Sequence, residues 1–258
     1  MGHPARLTVL GSGTSVPRPD RASSCYLLEA GGRSLLVDLG PGALHRAAVA
    51  GCDLKRLDDV LLTHVHPDHC ADLVALQFGL MSPLIERERG PVRLFGHPDV
   101  RLLNARLRNA WPRWLAAGPE LLELHDQHPG PVAVGGELEV GALAIAHHRS
   151  SLGYRVRLPD GFVVAFSGDA TEGAGLQDLA ADADLLVLEA ASPDGAPSEG
   201  HLTPRRAGRV AAEAGVAHLL LTHFYPPTLA EPIEDRVRET FEGAISLAHD
   251  GRVLRLSR

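Results

Sequence analysis

The feature that most constrains this chain is the run Thr63-His64-Val65-His66-Pro67-Asp68-His69-Cys70, which follows directly on the apolar stretch Val60-Leu61-Leu62. Successive residues of an extended chain point to opposite faces, so His64 and His66, two apart, turn to one side as the chain leaves a strand. Pro67 has no amide hydrogen and cannot continue a ladder. The chain therefore turns there and presents Asp68 and His69 from another direction. Imidazoles and a carboxylate gathered at one strand end have no packing role that balances the cost of burying them. As a ligand set they suit zinc, with manganese or iron as alternatives.

The same arrangement recurs in the second half. Residues 143–146 lead into His147 and His148, residues 161–166 into Ser167-Gly168-Asp169, residues 185–188 into Glu189, and residues 219–222 into His223. Strands that each end in a metal-competent or acid–base side chain predict a site assembled along one sheet edge. Singly, Asp169 reads as well as a helix cap and His223 as a buried histidine. Jointly, His64, His66, Asp68, His69, one histidine of the 147–148 pair, Asp169 and His223 supply seven candidate ligands. Seven exceed what one tetrahedral ion uses, and suit two ions about 3.5–4 Å apart that share a carboxylate. Asp38, which follows a predicted strand, either caps the next helix or accepts a hydrogen bond from one of these imidazoles.

The remaining pattern predicts one continuous domain over residues 1–258, with a helical insertion around 79–130. Strands are expected at 7–10, at 24–29 and 33–38 around the hairpin signal Gly31-Gly32, and at 92–95, 121–124, 132–134, 137–140 and 253–256. Helices are expected at 42–50, 71–78, 99–117, 203–214 and 232–241. Gly11-Ser12-Gly13-Thr14 lacks the lysine of a phosphate loop and reads as a tight turn. Arg18 and Arg21, in the loop that follows, are candidates to reach an anionic substrate.

Charge narrows the function classes. The 258 residues carry 32 acidic against 25 basic side chains, a net charge of −7, which argues against a general nucleic-acid binder. Cys25, Cys52 and Cys70 are odd in number and form no CxxC pair, which fits a reducing cytoplasm and no disulfide framework. No apolar run approaches the roughly 18–20 residues that span a bilayer, and the first residues lack a signal-peptide core. The expectation is a cytoplasmic protein with no membrane partner.

With these ligands in this order, the sequence resembles the metallo-β-lactamase superfamily, and within it the ribonuclease Z-like phosphodiesterase branch. The likeness covers nearly the whole chain. It rests on Leu10-Gly11-Ser12-Gly13-Thr14, Val37-Asp38-Leu39-Gly40, the HxHxDH run, His147 followed by Ser151-Leu152-Gly153-Tyr154-Arg155, Ser167-Gly168-Asp169, Glu189-Ala190, Gly200-His201-Leu202-Thr203 and Leu221-Thr222-His223-Phe224. The resemblance implies an α/β fold, the four-layer αββα sandwich, with two divalent ions, zinc first, at one edge. It implies that His64, His66 and His147 hold one ion, that Asp68, His69 and His223 hold the other, and that Asp169 bridges them. His147 is chosen over His148 by its spacing to Gly153-Tyr154. Asp38 becomes a support behind the ligands, His201 a group near the scissile phosphate, and Glu189 the residue that orients it.

What the resemblance implies is hydrolysis of a phosphodiester by hydroxide bridging the two ions. True ribonuclease Z commonly carries a long arm, between the strand after the third histidine and the bridging aspartate, that grips transfer RNA. Only residues 154–168 fill that interval here. A small or cyclic phosphodiester is therefore the expected partner, with precursor tRNA, other ester, thioester or sulfate ester substrates, or metal binding without catalysis as the alternatives. The resemblance also makes a homodimer plausible.

Overall fold

The structure, a computed structural model, describes residues 4–258. In chain order the elements are β1 (Arg6–Gly11), β2 (Cys25–Ala30), β3 (Arg33–Val37), α1 (Ala43–Val49), β4 (Asp59–Leu61), α2 (Pro67–Cys70), α3 (Leu73–Leu80), β5 (Val92–Gly96), α4 (Pro98–Ala110) and β6 (Leu122–Asp126). There follow β7 (Gly130–Val132), β8 (Glu139–Ala144), β9 (Leu152–Arg157), β10 (Val163–Phe166), α5 (Ala174–Ala180), β11 (Leu185–Glu189), α6 (Pro204–Glu213), β12 (His218–Thr222), α7 (Pro226–Leu229), α8 (Ile233–Arg238), β13 (Ala244–Leu247) and β14 (Val253–Arg255).

The strands form two seven-stranded sheets, in the orders β14-β1-β2-β3-β4-β5-β6 and β13-β12-β11-β10-β9-β8-β7. In each sheet one half is antiparallel and the other parallel: β3 to β6 in the first, β10 to β13 in the second. Strand alternation explains why the sheets face each other with helices outside. Tyr26 and Leu28 of β2, Val164 and Phe166 of β10, and Leu185 and Val187 of β11 point into one shared core. Their neighbours Cys25 and Leu27 join a layer beneath α1 and α3, while Val163, Ala165, Leu186 and Leu188 join a layer beneath α5, α6 and α8. Strands buried on both faces read as continuous apolar runs, as these do. The result is the expected αββα sandwich.

The segment expected as a helical insertion, 79–130, is built differently. It supplies β5 and β6 to the first sheet, and α4 is its one long helix. That helix stops at Ala110 rather than continuing to 117, because Trp111 precedes Pro112 and is driven out of the helical region (φ −131°, ψ 65°). The strands expected at 137–140 and 143–146 are one strand, β8. α2, α5, α7 and β13 have no counterpart among the expected elements; Gly173-Ala174-Gly175 hides the start of α5, and the other three are only four residues long.

Parallel strands place their carboxyl ends on a common edge, and polar side chains leave from five such ends: Asp38 after β3, the histidine run after β4, Asp169 after β10, Glu189 at the end of β11, and His223 after β12. At that edge the sheets are tied together. The Tyr154 hydroxyl on β9 donates to the Leu62 carbonyl at 2.9 Å, and the Leu152 amide donates to the Thr63 carbonyl at 2.8 Å. Gly168 (φ 60°) completes the closure, since a Cβ there would lie 2.7 Å from Thr63 Cβ. Gly168→Ala is therefore expected to destabilise the fold by about 1–3 kcal/mol through backbone strain alone, with the contact adding to it, as read from denaturant midpoints. A change below about 0.5 kcal/mol, within the range of ordinary surface substitutions, would contradict this closure.

Candidate metal centre

Asp38 organises the cluster from behind. It is buried, stands in the left-handed region (φ 65°), and is held by its amide donating to the Leu61 carbonyl at 2.9 Å. Its Oδ1 accepts the Thr63 amide at 2.8 Å and the Thr63 hydroxyl at 2.9 Å, and its Oδ2 lies 2.7 Å from His69 Nδ1. Because the threonine hydroxyl donates to the carboxylate, its oxygen is left to accept from His64 Nδ1 at 3.0 Å. One carboxylate thus fixes the tautomers of two histidines, with Nδ1 protonated outward and the Nε2 lone pair inward. His147 is set in the same way by the Gly200 carbonyl, 2.8 Å from its Nδ1.

Inward, the nitrogens converge. His64 Nε2 and His66 Nδ1 are 3.0 Å apart, His147 Nε2 and His66 Nδ1 3.3 Å, and His69 Nε2 and His223 Nε2 3.4 Å. Asp68, carried inward on the first turn of α2 behind Pro67, brings Oδ2 to 3.4 Å from His223 Nε2. His64, His66, His147 and Asp169 form one group whose ligand atoms lie within 4.8 Å of one another, and Asp68, His69 and His223 form a second. Asp169 faces both. Its Oδ2 is 3.9 Å from His64 Nε2 and 3.7 Å from His147 Nε2, while its Oδ1 is 3.1 Å from His69 Nε2 and 3.4 Å from His223 Nε2.

This donor set fits a metal. Facing lone pairs on buried imidazoles repel one another unless a proton or a cation lies between them. Asp169 Oδ1 and His223 Nδ1 are, moreover, buried with no hydrogen-bond partner among the described residues, which normally marks an unfilled role. His223 also sits at φ 56°, a strained conformation of the kind that collects at functional sites. All seven ligand candidates meet here, whereas His148 does not join. Its Nδ1 lies 2.7 Å from the Ser150 hydroxyl and its ring only flanks His66.

The titrations follow from burial and charge. Burial pushes the His64 pKa well below the usual imidazole value, and the neighbouring His69 adds to this. Burial also opposes protonation of His69, but Asp169 and Asp38 outweigh it and hold its pKa well above the ordinary value. Burial alone would raise Asp169; the surrounding histidines, His223 and His69 foremost, bring it well below the carboxylate range.

His201 stands beside the cluster, one of its ring nitrogens within 4.8 Å of ligand atoms of Asp169 and His223. Its Nδ1 is 2.8 Å from Glu189 Oε1. Glu189 is 1% exposed and also accepts the amides of Ala170, Ala191 and Leu202, so it is a fixed, fully paired anion. Burial lowers the His201 pKa, but the Glu189 hydrogen bond and charge overcome this and raise it. Sequence reasoning missed Thr63 as the link to His64 and the Gly200 carbonyl behind His147. Thr63 adjoins the ligands and could have been found there; a backbone carbonyl leaves no signal.

Residues 33–224 match the family described as a β-lactamase superfamily domain. An uncharacterised protein of Mycobacterium leprae is 33% identical over 253 residues, covering 95% of this chain and 87% of that one. A ribonuclease Z of Mycobacterium marinum is 31% identical over 270 residues, covering 95% of this chain and 96% of its own. That matched span is longer than this whole chain, so the relative carries residues within it that this chain lacks. The metallo-β-lactamase fold protein YhfI of Bacillus subtilis superposes with a TM-score of 0.83 at 25% identity, covering 98% of this chain and 100% of that one.

Asp38→Ala frees Thr63 and His69 at once and touches no inward ligand atom. It is expected to weaken divalent-metal affinity by about 10–100-fold, measured by competition with a chromogenic chelator. Unchanged affinity in a folded variant would contradict the role given to Asp38.

Proposed function

The chain belongs to the metallo-β-lactamase superfamily, and as a metal-dependent hydrolase of that group we propose that it is a dinuclear phosphodiesterase acting on a small or cyclic phosphodiester. The observation that carries this reading is the division of Asp169, whose two oxygens face two separate ligand groups. On this reading His64, His66 and His147 hold one ion, Asp68, His69 and His223 the other, and Asp169 both; zinc suits the donors, with manganese or iron as alternatives. Bound there, two cations would make water acidic enough to ionise near neutral pH and would neutralise phosphate oxygens during in-line attack.

The chain's own groups supply the rest. Glu189 holds the proton on His201 Nδ1 and favours the imidazolium, so His201 Nε2 keeps a proton to hand to the departing alkoxide oxygen. Before transfer, the same charge steadies the negative charge gathering on phosphorus-bound oxygens. His69 and His64 stay aimed because Asp38 and Thr63 hold their outer nitrogens, so little reorganisation is required during reaction.

A second reading, 3′ processing of precursor tRNA, is favoured by the likeness to the M. marinum ribonuclease Z. Against it stands the hairpin between β9 and β10. It closes through the Leu158 amide and Phe162 carbonyl at 2.8 Å, leaving no room in the chain for an arm. The net charge of −7 also opposes a polyanionic substrate.

Purified protein supplied with zinc or manganese is expected to hydrolyse bis(p-nitrophenyl) phosphate, and Asp68→Ala to abolish this. His201→Ala is expected to lower kcat by about 10²–10⁴-fold. Absence of metal-dependent turnover, with Asp68→Ala indistinguishable from wild type, would refute the proposal. Specific cleavage of precursor tRNA that falls steeply with salt would instead favour the second reading.

A further inference from the structure

Beside Asp68 a cleft of about 290 Å³ runs outward between the loop after β1 and the turns at Pro41 and Pro67. This is near the lower end of the volumes that small-ligand sites occupy, roughly 300–1,000 Å³, so it admits one compact moiety rather than a polymer. Besides Arg18, Arg21 and Asp68, its polar lining is made of the hydroxyls of Thr14, Ser15 and Ser23. Thr14, 3% exposed, accepts the Val16 amide on Oγ1 at 3.2 Å, and among the described residues its own hydrogen has no acceptor. Ser23 Oγ donates to the Thr14 carbonyl at 3.0 Å and keeps its lone pairs. Ser15 Oγ lies 3.2 Å from the Tyr225 hydroxyl, so that pair shares one hydrogen and retains another.

Tyr225 joins this cleft to the metal centre. Its ring meets His201 and His223 edge-on, with centroids 6.1 and 6.0 Å away. The cleft's two arginines already have partners within the chain. Arg18 is gripped by both oxygens of Asp20, at 3.0 and 3.2 Å. Arg21 donates to Ser12 Oγ at 2.7 Å and to the Ala248 carbonyl at 2.8 Å, and lies over the Phe224 ring. Arg18 and Arg21 do line the cleft, but each already has a partner within the chain, so among the described residues a second phosphate there would have to compete with Asp20 for Arg18 and would approach the Asp68 carboxylate.

We propose that this cleft is the subsite for one alcohol half of the phosphodiester, that Ser15 and Tyr225 bind its hydroxyl, and that the class it takes is a neutral, hydroxylated alcohol of nucleoside size. The assignment rests on the phosphodiesterase reading for its placement beside the scissile bond, but the binding of the alcohol can be read without turnover.

The metal-loaded enzyme would be titrated with thymidine and with 3′-deoxythymidine by ligand-observed NMR, alongside Ser15→Ala and Tyr225→Phe. Thymidine is expected to bind the wild type more tightly than 3′-deoxythymidine, and to lose about three- to tenfold in each variant, the worth of one hydrogen bond between neutral groups. In turnover, the preference for thymidine 5′-(p-nitrophenyl phosphate) over bis(p-nitrophenyl) phosphate is expected to fall by a similar factor. Thymidine affinity that is absent in the wild type, or unchanged in both variants, overturns the subsite. If neither ester is hydrolysed by the wild type, the phosphodiesterase reading fails, and the thymidine titration still decides the cleft.

Discussion

Two of the imidazoles at this edge are held in place by one buried carboxylate. Asp38 accepts from Thr63 and His69 together, and through the Thr63 hydroxyl it also sets His64. Three inward lone pairs, those of His64, His69 and His147, are aimed because their rings' outer nitrogens are engaged, two of them through this one residue. A buried carboxylate with too few donors is costly. Asp38 meets that demand from the same loop that carries the ligands, so folding the loop and orienting the ligands are one event. The left-handed conformation of Asp38 is the local strain by which the chain turns the carboxylate back over the strand ends.

The sandwich supplies what a single sheet could not. Both groups of candidate ligands begin in the loop after β4 in the first sheet, yet each is completed from the second sheet, by His147 or His223, and Asp169 faces both. The Tyr154 hydroxyl, the Leu152 amide and the close passage of Gly168 over Thr63 fix the distance between the sheets where this sharing happens. Large aromatic side chains such as Phe166 and Tyr26 fill the core immediately behind, with ring centroids 5.8 Å apart, so the edge cannot easily collapse inward.

Much of this was legible in the sequence, for identifiable reasons. The HxHxDH run, Asp169 after Ser167-Gly168, and His223 after an apolar strand are short-range patterns, and the two-residue period and Pro67 translate directly into geometry. The choice of His147 over His148 rests on resemblance; in the structure the Gly200 carbonyl lies 2.8 Å from His147 Nδ1, while His148 Nδ1 lies 2.7 Å from the Ser150 hydroxyl. What stayed hidden is long-range or backbone-borne. No local pattern tells that 79–130 lends two strands to the first sheet, since β5 and β6 are five residues each and separated by a longer helix. Likewise, the pairing of Arg18 and Arg21 depends on Asp20 and on a carbonyl more than two hundred residues away.

If two ions bind here, the two oxygens of Asp169 divide one cluster into two metal positions. Isothermal titration of metal-free protein with zinc, with metal content checked on the dialysed product, tests it most directly. The account predicts two equivalents bound per chain, and loss of one or both in Asp169→Ala while that variant remains folded. A single equivalent in the wild type, or two retained undiminished in Asp169→Ala, would contradict it.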